Sequence, residues 1–435
     1  MLLRQLIGAC VALGVSANVY AETITIATVN NGDMVLMQEL SDDFTKKNPD
    51  IELEWVTLEE NILRQRVTTD IAAKGGQYDV MTIGTYEVPI WANQDWLLKL
   101  DGLDKDYDVQ DILPAIRGGL SVDGDLYAAP FYGESSMVMY RTDLMQKAKL
   151  DMPRAPSWEF IAKAAEAMTD KENGVYGICL RGKAGWGENV ALLTAMSNSF
   201  GARWFDEKWV PQLDSNAWQD TMDYYLDVMN NYGPPGASSN GFNENLALFQ
   251  TGKCGMWIDA TVAASFVTNA DDSSVADRVG FALAPDNGLG KRGNWLWAWS
   301  LAIPAGTEKS DSAMKFVSWA TSKGYQELVA SKKGWRNVPP GTRTSLYNNK
   351  AYLDAASFAK ITLDSINSAD PNNPTVDPVP YVGVQFVAIP EFQSIGTAVG
   401  QQLSAALAGK MSAKEALERS QRLVTRSMTK AGYYK

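Results

Sequence analysis

The sequence predicts an α/β protein built on parallel β-sheets. Three strand-like segments, 23–29, 51–56 and 78–84, alternate with two segments of helical period, and this order implies parallel strands joined by right-handed crossovers. Strand and helix patterns recur after Ala128 and again after Val279. Because 435 residues exceed the usual size of one doubly wound domain, we expect two or three domains.

The first unit can be followed in order along the chain. Segment 23–29 alternates with the period of a strand, and the turn at Asn30 and Asn31 offers side chains that can cap the next helix. Two further strands and the helix between them follow in the same way. Ligands of such sheets bind beyond the carboxyl ends of the strands. Asn30, Asn31 and Tyr86, which follow the first and third strands, are therefore candidate ligand contacts.

The composition excludes several kinds of chemistry. The sequence contains no histidine, so it has no Ser-His-Asp or Cys-His nucleophile system, no histidine metal site and no imidazole general base. No glycine-rich phosphate-binding motif follows the first three strands, which disfavours a nucleotide site. A formal net charge of −12 argues against binding to nucleic acid or to an anionic membrane. Catalysis by paired carboxylates remains open.

The N-terminus has the features of a secretory signal peptide. One charge, Arg4, precedes an apolar run over 6–15, and the segment 19–21 ends with a small residue, Ala21. We therefore expect cleavage after Ala21 and an exported protein. A membrane anchor is one alternative, but the run is shorter than the ~20 residues of a membrane span. A lipid attached at Cys10 is the other, and the apolar segment ahead of that cysteine is short for it.

Beyond the signal peptide the chain keeps two cysteines, Cys179 and Cys254. In an oxidising compartment two such thiols can form a disulfide. Two buried free thiols are the alternative, because the sequence does not give the distance between the two side chains.

Several short segments, spread in a fixed order over the chain, carry a family resemblance. Segment 120–131, which contains Asp123-Gly124-Asp125-Leu126-Tyr127, is followed in order by 138–144, 155–159, 170–178, 249–257, 300–304 and 412–421. The ordered set resembles the periplasmic solute-binding proteins of ABC sugar importers, family 1 of the extracellular solute-binding proteins. A narrower resemblance, to binding proteins for sorbitol, mannitol and related polyols, is carried by 295–299, 334–341 and 378–381.

The resemblance implies a periplasmic-binding-protein fold, in which a hinge joins two doubly wound α/β lobes and the ligand lies in the cleft between them. It divides the chain into a signal peptide over 1–21, lobe one in 22–131 and 280–333, and lobe two in 132–279 and 334–435. It also implies a periplasmic monomer that needs no cofactor and passes its ligand to an inner-membrane ABC permease.

A cleft for a neutral polyhydroxy ligand needs aromatic faces for the C–H surface and charged or amide groups for the hydroxyls. Trp297 and Trp299 lie on one face of a predicted strand with Trp295, where core packing is the alternative to ligand contact. Asp259 precedes a predicted helix, where an N-cap is the alternative. Strand ends, lobe crossings and a glycine-rich loop complete the expected ligand contacts, which are Asn30, Asn31, Tyr86, Glu134, Arg181, Trp186, Trp257, Asp259, Trp297, Trp299, Trp335 and Arg336.

Two functions are compatible with these residues. The first is a transport receptor that captures a polyol or related sugar by closing its two lobes. The second is a secreted carbohydrate-active hydrolase that uses two carboxylates, such as Glu134 and Asp259, on either side of a glycosidic bond. The family resemblance favours the receptor, and binding of a polyol without turnover would exclude the hydrolase.

Overall fold

The computed structural model describes residues 21–434, so the predicted signal peptide lies, except for Ala21, outside the described residues. Two main β-sheets form the framework of the described part. Its strands are β1 (Glu22–Val29), β2 (Ile51–Leu58), β3 (Val80–Ile83), β4 (Ser121–Val122), β5 (Asp125–Leu126), β6 (Ala128–Glu134), β7 (Ser136–Arg141), β8 (Tyr176–Cys179), β9 (Cys254–Ala260), β10 (Val279–Leu283) and β11 (Trp297–Ala302).

Helices cover both sheets. Within residues 21–434, no helix combines the length and the hydropathy that a bilayer span requires. The helices are α1 (Gly32–Leu40), α2 (Asp42–Lys47), α3 (Glu60–Ala72), α4 (Glu87–Ala92), α5 (Pro114–Gly119), α6 (Thr142–Lys147), α7 (Trp158–Met168), α8 (Asn189–Ser199), α9 (Asn216–Tyr232), α10 (Phe242–Gln250), α11 (Ala263–Val267), α12 (Ser310–Ala320), α13 (Lys323–Lys333), α14 (Thr344–Tyr347), α15 (Lys350–Ala355), α16 (Ala359–Asn367), α17 (Phe392–Leu407) and α18 (Ala413–Ala431).

The first sheet, with its covering helices, is called lobe one below. Its strand order is β2-β1-β3-β11-β6. β1 pairs in parallel with β2 and β3, as the alternating pattern predicts, whereas β11 runs antiparallel to both β3 and β6. Asn31 caps α1 as expected, since its side-chain oxygen accepts a hydrogen bond from the backbone N–H of Met34 at 3.0 Å. The end of β1 is thereby fixed beside the start of a helix.

The second sheet, with its helices, is called lobe two. Its strand order is β10-β7-β9-β8, with β8 and β9 parallel and the other pairs antiparallel. β10 pairs with β7 here, so the predicted return to lobe one at residue 280 falls inside a lobe-two strand. The chain changes sheet later, between β10 and β11. An apolar strand pattern does not reveal which sheet the strand joins, and this explains the misplaced boundary.

A disulfide joins Cys179 at the end of β8 to Cys254 at the start of β9. The two Cα atoms are 6.0 Å apart, within the range that disulfides span. The pairing that the sequence left open is therefore present. The disulfide links two neighbouring strands of lobe two. It lies close in sequence to Arg181, which follows β8, and to Trp257, which is in β9.

Two chain segments meet backbone to backbone where the chain leaves lobe one. The N–H of Gly133, near the end of β6, donates to the carbonyl of Pro340 at 2.9 Å. A Cβ atom on Gly133 would lie 2.3 Å from the carbonyl oxygen of Gly341, too close for any side chain. Gly341 itself has φ of +74°, which favours glycine. Ser135, two residues after Gly133, separates the strands of the two sheets.

Candidate ligand-binding site

A cavity lies between the two lobes, at the carboxyl end of β1 and beside the first residues of β11. Its space, including the part open to solvent, is about 810 Å³. Both lobes contribute to the wall, which consists of aromatic, charged and amide side chains with a few small residues. The lining residues are Val29, Asn30, Asn31, Glu59, Glu60, Arg64, Tyr132, Glu134, Arg181, Lys183, Trp186, Gly187, Glu188, Ala191, Phe242, Asn243, Glu244, Ala260, Val262, Trp295, Trp297, Trp299 and Gln385.

Arg181 is the buried cation on the lobe-two side of the cavity. Its Nε and Nη2 atoms donate to both carboxylate oxygens of Asp259, at 2.7 to 3.2 Å, and its Nη1 donates to Glu188 at 3.3 Å. Asp259 also accepts from the indole N–H of Trp257 at 3.1 Å and from the backbone N–H of Ala260 at 2.7 Å. Because β8 and β9 are adjacent, residues at their carboxyl ends meet. The guanidinium is therefore held in one orientation.

The charges around Arg181 depend on one another. Burial alone would lower the pKa of the Arg181 guanidinium, but the charge and hydrogen bonds of Asp259, with the charge of Glu188, raise that pKa above its ordinary value. Burial raises the pKa of the Glu188 carboxyl to about 7, although the charge of Arg181 opposes the change. Removal of Arg181 or of Asp259 would leave the other side chain as a buried charge with little solvent around it.

Arg64, on α3 of lobe one, is stacked among three indole rings. Its guanidinium carbon lies 4.0 Å from the ring centre of Trp186, 4.8 Å from that of Trp297 and 4.6 Å from that of Trp299. These distances are well inside the range of cation–π contacts. Trp297 and Trp299 belong to β11 of lobe one, whereas Trp186 belongs to lobe two, so one cation joins aromatic rings of both lobes.

Two carboxylates fix the Arg64 side chain. Its Nε and Nη2 donate to Glu60, one turn earlier on α3, at 3.1 and 2.8 Å, and its Nη1 donates to Glu87 at 3.1 Å. Glu87 is 1% exposed and also accepts from the backbone N–H of Gly84 at 2.9 Å. Burial raises the pKa of the Glu87 carboxyl, and the charge of Arg64 opposes that rise. Arg64 thus neutralises a carboxylate that water does not solvate.

Glu134 ends β6 and presents its carboxylate to the cavity. The residue is 6% exposed, and its side chain makes no hydrogen bond to any residue within 21–434. Burial raises the pKa of this carboxyl well above its ordinary value; Arg181 acts in the opposite direction, whereas the charges of Asp259, Glu60 and Asp33 add to the rise. Glu134 is therefore an acceptor without a partner among the described residues.

Contacts across the cavity mouth bring the two lobes together. Lys183 of lobe two pairs with Glu59 of lobe one at 2.5 Å and lies 3.6 Å from Glu188 of its own lobe. The side-chain amide of Asn61, in lobe one, donates to the backbone carbonyl of Ala184 at 3.4 Å. Together with the Arg64 stack, these contacts give a closed arrangement of the lobes.

The cavity brings together seven of the residues predicted from the sequence, namely Asn30, Asn31, Glu134, Arg181, Trp186, Trp297 and Trp299. Asp259 and Trp257 lie directly behind the wall, where they hold Arg181 in place. Tyr86 also lies behind it, with its ring centre 4.8 Å from that of Trp186 and its hydroxyl donating to a backbone carbonyl at 3.0 Å. Trp297 and Trp299 are both core and cavity residues, so the two interpretations of that strand are not exclusive.

Trp335 and Arg336 do not lie on the cavity wall. They belong to a single 3₁₀ turn after α13, and the Nη1 of Arg336 donates to the backbone carbonyl of Thr268 at 2.8 Å. The prediction placed them in the site because they neighbour a lobe crossing. The turn instead uses this arginine to cap the end of α11.

Several wall residues were absent from the sequence prediction. Arg64 and Glu60 are one helical turn apart on a predicted helix, and an i, i+4 ion pair of this kind can be recognised in a sequence. Tyr132 follows the same alternation in β6 as Glu134, and its hydroxyl accepts a hydrogen bond from Asn31 at 2.9 Å. Gln385 comes from the proline-rich segment before α17 and carries no local signal of its position.

Comparison with known proteins relates the chain to bacterial solute-binding proteins. A family model described as bacterial extracellular solute-binding protein matches residues 30–327. The chain is 55% identical, over 99% of its length and 98% of the other protein, to a protein from Pseudomonas aeruginosa named mannitol-binding protein.

Solved structures share the fold over almost the whole chain. A solute-binding protein of an ABC transporter from Agrobacterium vitis, solved with bound D-mannitol, superposes with a TM-score of 0.94 at 72% identity and covers 95% of this chain and 100% of its own. A second one, from Agrobacterium radiobacter in complex with ribitol, superposes with a TM-score of 0.83 at 22% identity, with coverage of 94% and 99%. Because the second protein is only 22% identical to this chain, the likeness between them concerns the fold alone.

Proposed function

The chain belongs to the bacterial extracellular solute-binding protein family, and from that premise we propose that it captures a linear sugar alcohol, D-mannitol or a close relative, between its two lobes. The closed, loaded form then docks on an ABC permease in the inner membrane and releases the ligand. The family acts outside the cytoplasm, and we propose cleavage after Ala21 for the export of this chain.

One observation carries the proposal: a cavity between the two lobes that combines indole faces with a buried carboxyl group. Trp186 and Trp297 offer flat apolar surface for the carbon chain of a polyol. Glu134 offers two carboxyl oxygens to the hydroxyls of the ligand, and a typical hydrogen bond contributes about 0.5–1.5 kcal/mol. Arg181 faces the cavity as a donor, held by Asp259. We assign ligand contact to these residues.

The named relatives support the choice of ligand class. The Pseudomonas aeruginosa protein is named for mannitol, and the Agrobacterium vitis structure holds D-mannitol at 72% identity to this chain. The proposal extends that ligand to this chain because the wall described above has the polarity that a hexitol requires.

The hydrolase alternative is not supported. Its second carboxylate, Asp259, is 0% exposed and already accepts hydrogen bonds from Arg181, Trp257 and Ala260. A nucleophile or general base needs a free oxygen beside the substrate, and this carboxylate offers none to the cavity. The relatives described above are solute-binding proteins.

Titration of the purified mature protein tests the proposal. We expect D-mannitol, D-sorbitol or D-arabinitol to bind saturably in calorimetry with one site per chain and to change tryptophan emission, because four indoles line the cavity. No reducing ends should appear when the protein is incubated with a panel of glycosides. A flat titration with all three polyols, alongside a response to another sugar, would overturn the polyol assignment.

A glycine at the lobe contact makes closure itself testable. A Cβ atom on Gly187, in lobe two, would lie 2.3 Å from Glu60 Oε1 and 2.9 Å from Arg64 Nε, both in lobe one. Because this clash exists only when the lobes meet, we expect Gly187→Ala to weaken polyol binding about tenfold. The thermal stability of the unliganded protein should not fall.

Calorimetry, with X-ray scattering for ligand-induced compaction, checks this expectation. Gly306→Ala is the matched control, since no atom lies within 4 Å of the Cβ it would add, and its affinity should equal that of the wild type. Unchanged affinity in Gly187→Ala would mean that the lobes bind ligand without reaching this contact.

A further inference from the structure

Carboxylates outnumber cationic side chains around the cavity. Arg64 pairs with Glu60 and Glu87. Each of the other two cations of the wall is likewise shared between two carboxylates: Arg181 between Asp259 and Glu188, and Lys183 between Glu59 and Glu188. All three cations are thus already matched or outnumbered by acidic partners within the described part of the chain.

Glu134 is a further carboxylate, beyond those paired with the three cations. It lies on the cavity wall, more than nine-tenths buried, with no hydrogen-bond partner for its side chain among residues 21–434. The backbone of Glu134 pairs with that of Trp297 across β6 and β11, so the acceptor and an indole face are neighbours. A buried acceptor that lacks a partner is costly unless a ligand supplies the partner.

We propose that the cavity also takes a protonated amino-polyol, a linear sugar alcohol in which an ammonium group replaces one terminal hydroxyl, with the ammonium bound to the carboxylate of Glu134. The inference rests on the proposed polyol function and extends its ligand class from neutral to cationic. A bound ammonium would lower the pKa of the Glu134 carboxyl and so favour its ionised form. A charged donor on a charged acceptor forms a shorter and stronger hydrogen bond than a hydroxyl does.

The surroundings of Glu134 favour a cation over an anion. Burial raises the pKa of the Glu134 carboxyl and disfavours a charge of either sign; among the neighbouring charges, Arg181 lowers that pKa, whereas Asp259, Glu60 and Asp33 raise it. Because Arg181 is already paired with Asp259 and Glu188, a ligand ammonium would meet more carboxylates than cations at this position. A ligand carboxylate at the same place would face the same acidic groups, so a sugar acid should bind more weakly than the neutral polyol.

Three ligands of one configuration test the inference at pH 7 and low salt: D-mannitol, 1-amino-1-deoxy-D-mannitol and D-mannonate. Because the two ends of D-mannitol are equivalent by symmetry, one substituted compound serves for either end. A primary amine is protonated at this pH, as lysine is. Calorimetry should show the amine binding at least tenfold more tightly than mannitol, and mannonate at least a hundredfold more weakly than mannitol.

Glu134→Gln keeps the size of the side chain and removes its charge. We expect this variant to lower the affinity ratio of amino-mannitol to mannitol at least tenfold. Glu207→Gln makes the same change of net charge at an exposed position outside the cavity and should leave the ratio unchanged.

The outcomes separate the two proposals. Mannitol binding with an amine that binds more weakly than mannitol, or a ratio unchanged in Glu134→Gln, overturns the amino-polyol inference and leaves the proposed function standing. Failure of all three ligands to bind overturns the amino-polyol inference, and the titrations with D-sorbitol and D-arabinitol then decide the proposed function. The comparison of ligands on the wild-type protein decides the matter even if the variant does not fold.

Discussion

Asp259→Ala should weaken polyol binding at least a hundredfold, or about 2.7 kcal/mol, and lower the free energy of unfolding by about 3–5 kcal/mol. The carboxylate is 0% exposed and receives hydrogen bonds from Arg181, Trp257 and Ala260. Its loss leaves the Arg181 guanidinium buried beside Glu188 alone. Removal of one member of a buried charge pair costs more than the pair itself contributes, because the remaining charge has neither water nor a partner.

Calorimetry and urea unfolding measure the two effects. Asp259→Asn keeps the shape of the side chain and should recover part of the stability but little of the affinity, since the charge that orients Arg181 is gone. Asp277→Ala is the surface control; that aspartate pairs with Arg278 and its side chain is 84% exposed, so its removal should have no measurable effect. Wild-type affinity in Asp259→Ala would show that Arg181 is not oriented by this contact.

Arg64→Met should also weaken binding about a hundredfold and destabilise the protein by about 3 kcal/mol or more, because Glu87 is left buried without a cation. The variant also loses the stacking on Trp186, the indole of the opposite lobe, at 4.0 Å. Each cation–π contact contributes about 0.5–2 kcal/mol. The closed arrangement should therefore be less favourable even where the fold is intact.

A double variant that combines Arg64→Met with Glu87→Gln separates these two roles. The neutral amide that replaces the Glu87 carboxylate no longer needs a counter-charge, so the unfolding free energy should return most of the way to the wild-type value. Affinity and ligand-induced compaction in X-ray scattering should remain low. Recovery of affinity along with stability would mean that Arg64 only neutralises Glu87 and has no part in closure.

Much of the site can be predicted from the sequence, because several of its residues lie at the ends of predicted strands. Asn31, Glu134 and Arg181 all follow or end a strand, and the carboxyl edges of the two sheets bring them to one cavity. The alternation of Trp297 and Trp299 was equally readable, because a period of two puts both on one face. These positions depend on local pattern and on a topology rule.

Other features depend on packing between residues that are distant in the sequence, and no local sequence pattern indicates them. β10 has the apolar pattern of any buried strand, and only its pairing with β7 assigns it to lobe two. Arg64 occupies a helix in which charged residues are expected on the solvent side, and the indoles that cover it are over 120 residues away in sequence. Trp335 and Arg336 show the converse, since a position next to a crossing does not fix the direction of a side chain.

The backbone contact between Gly133 and Gly341 lies apart from the cavity wall. No side chain stands between the two segments there, so their spacing depends on peptide geometry and not on the chemistry of any particular residue. Substitutions on the cavity wall can therefore alter the choice of solute without changing this contact. Such a division makes the scaffold suitable for redesign as a sensor for other small molecules, provided that these two glycines are retained.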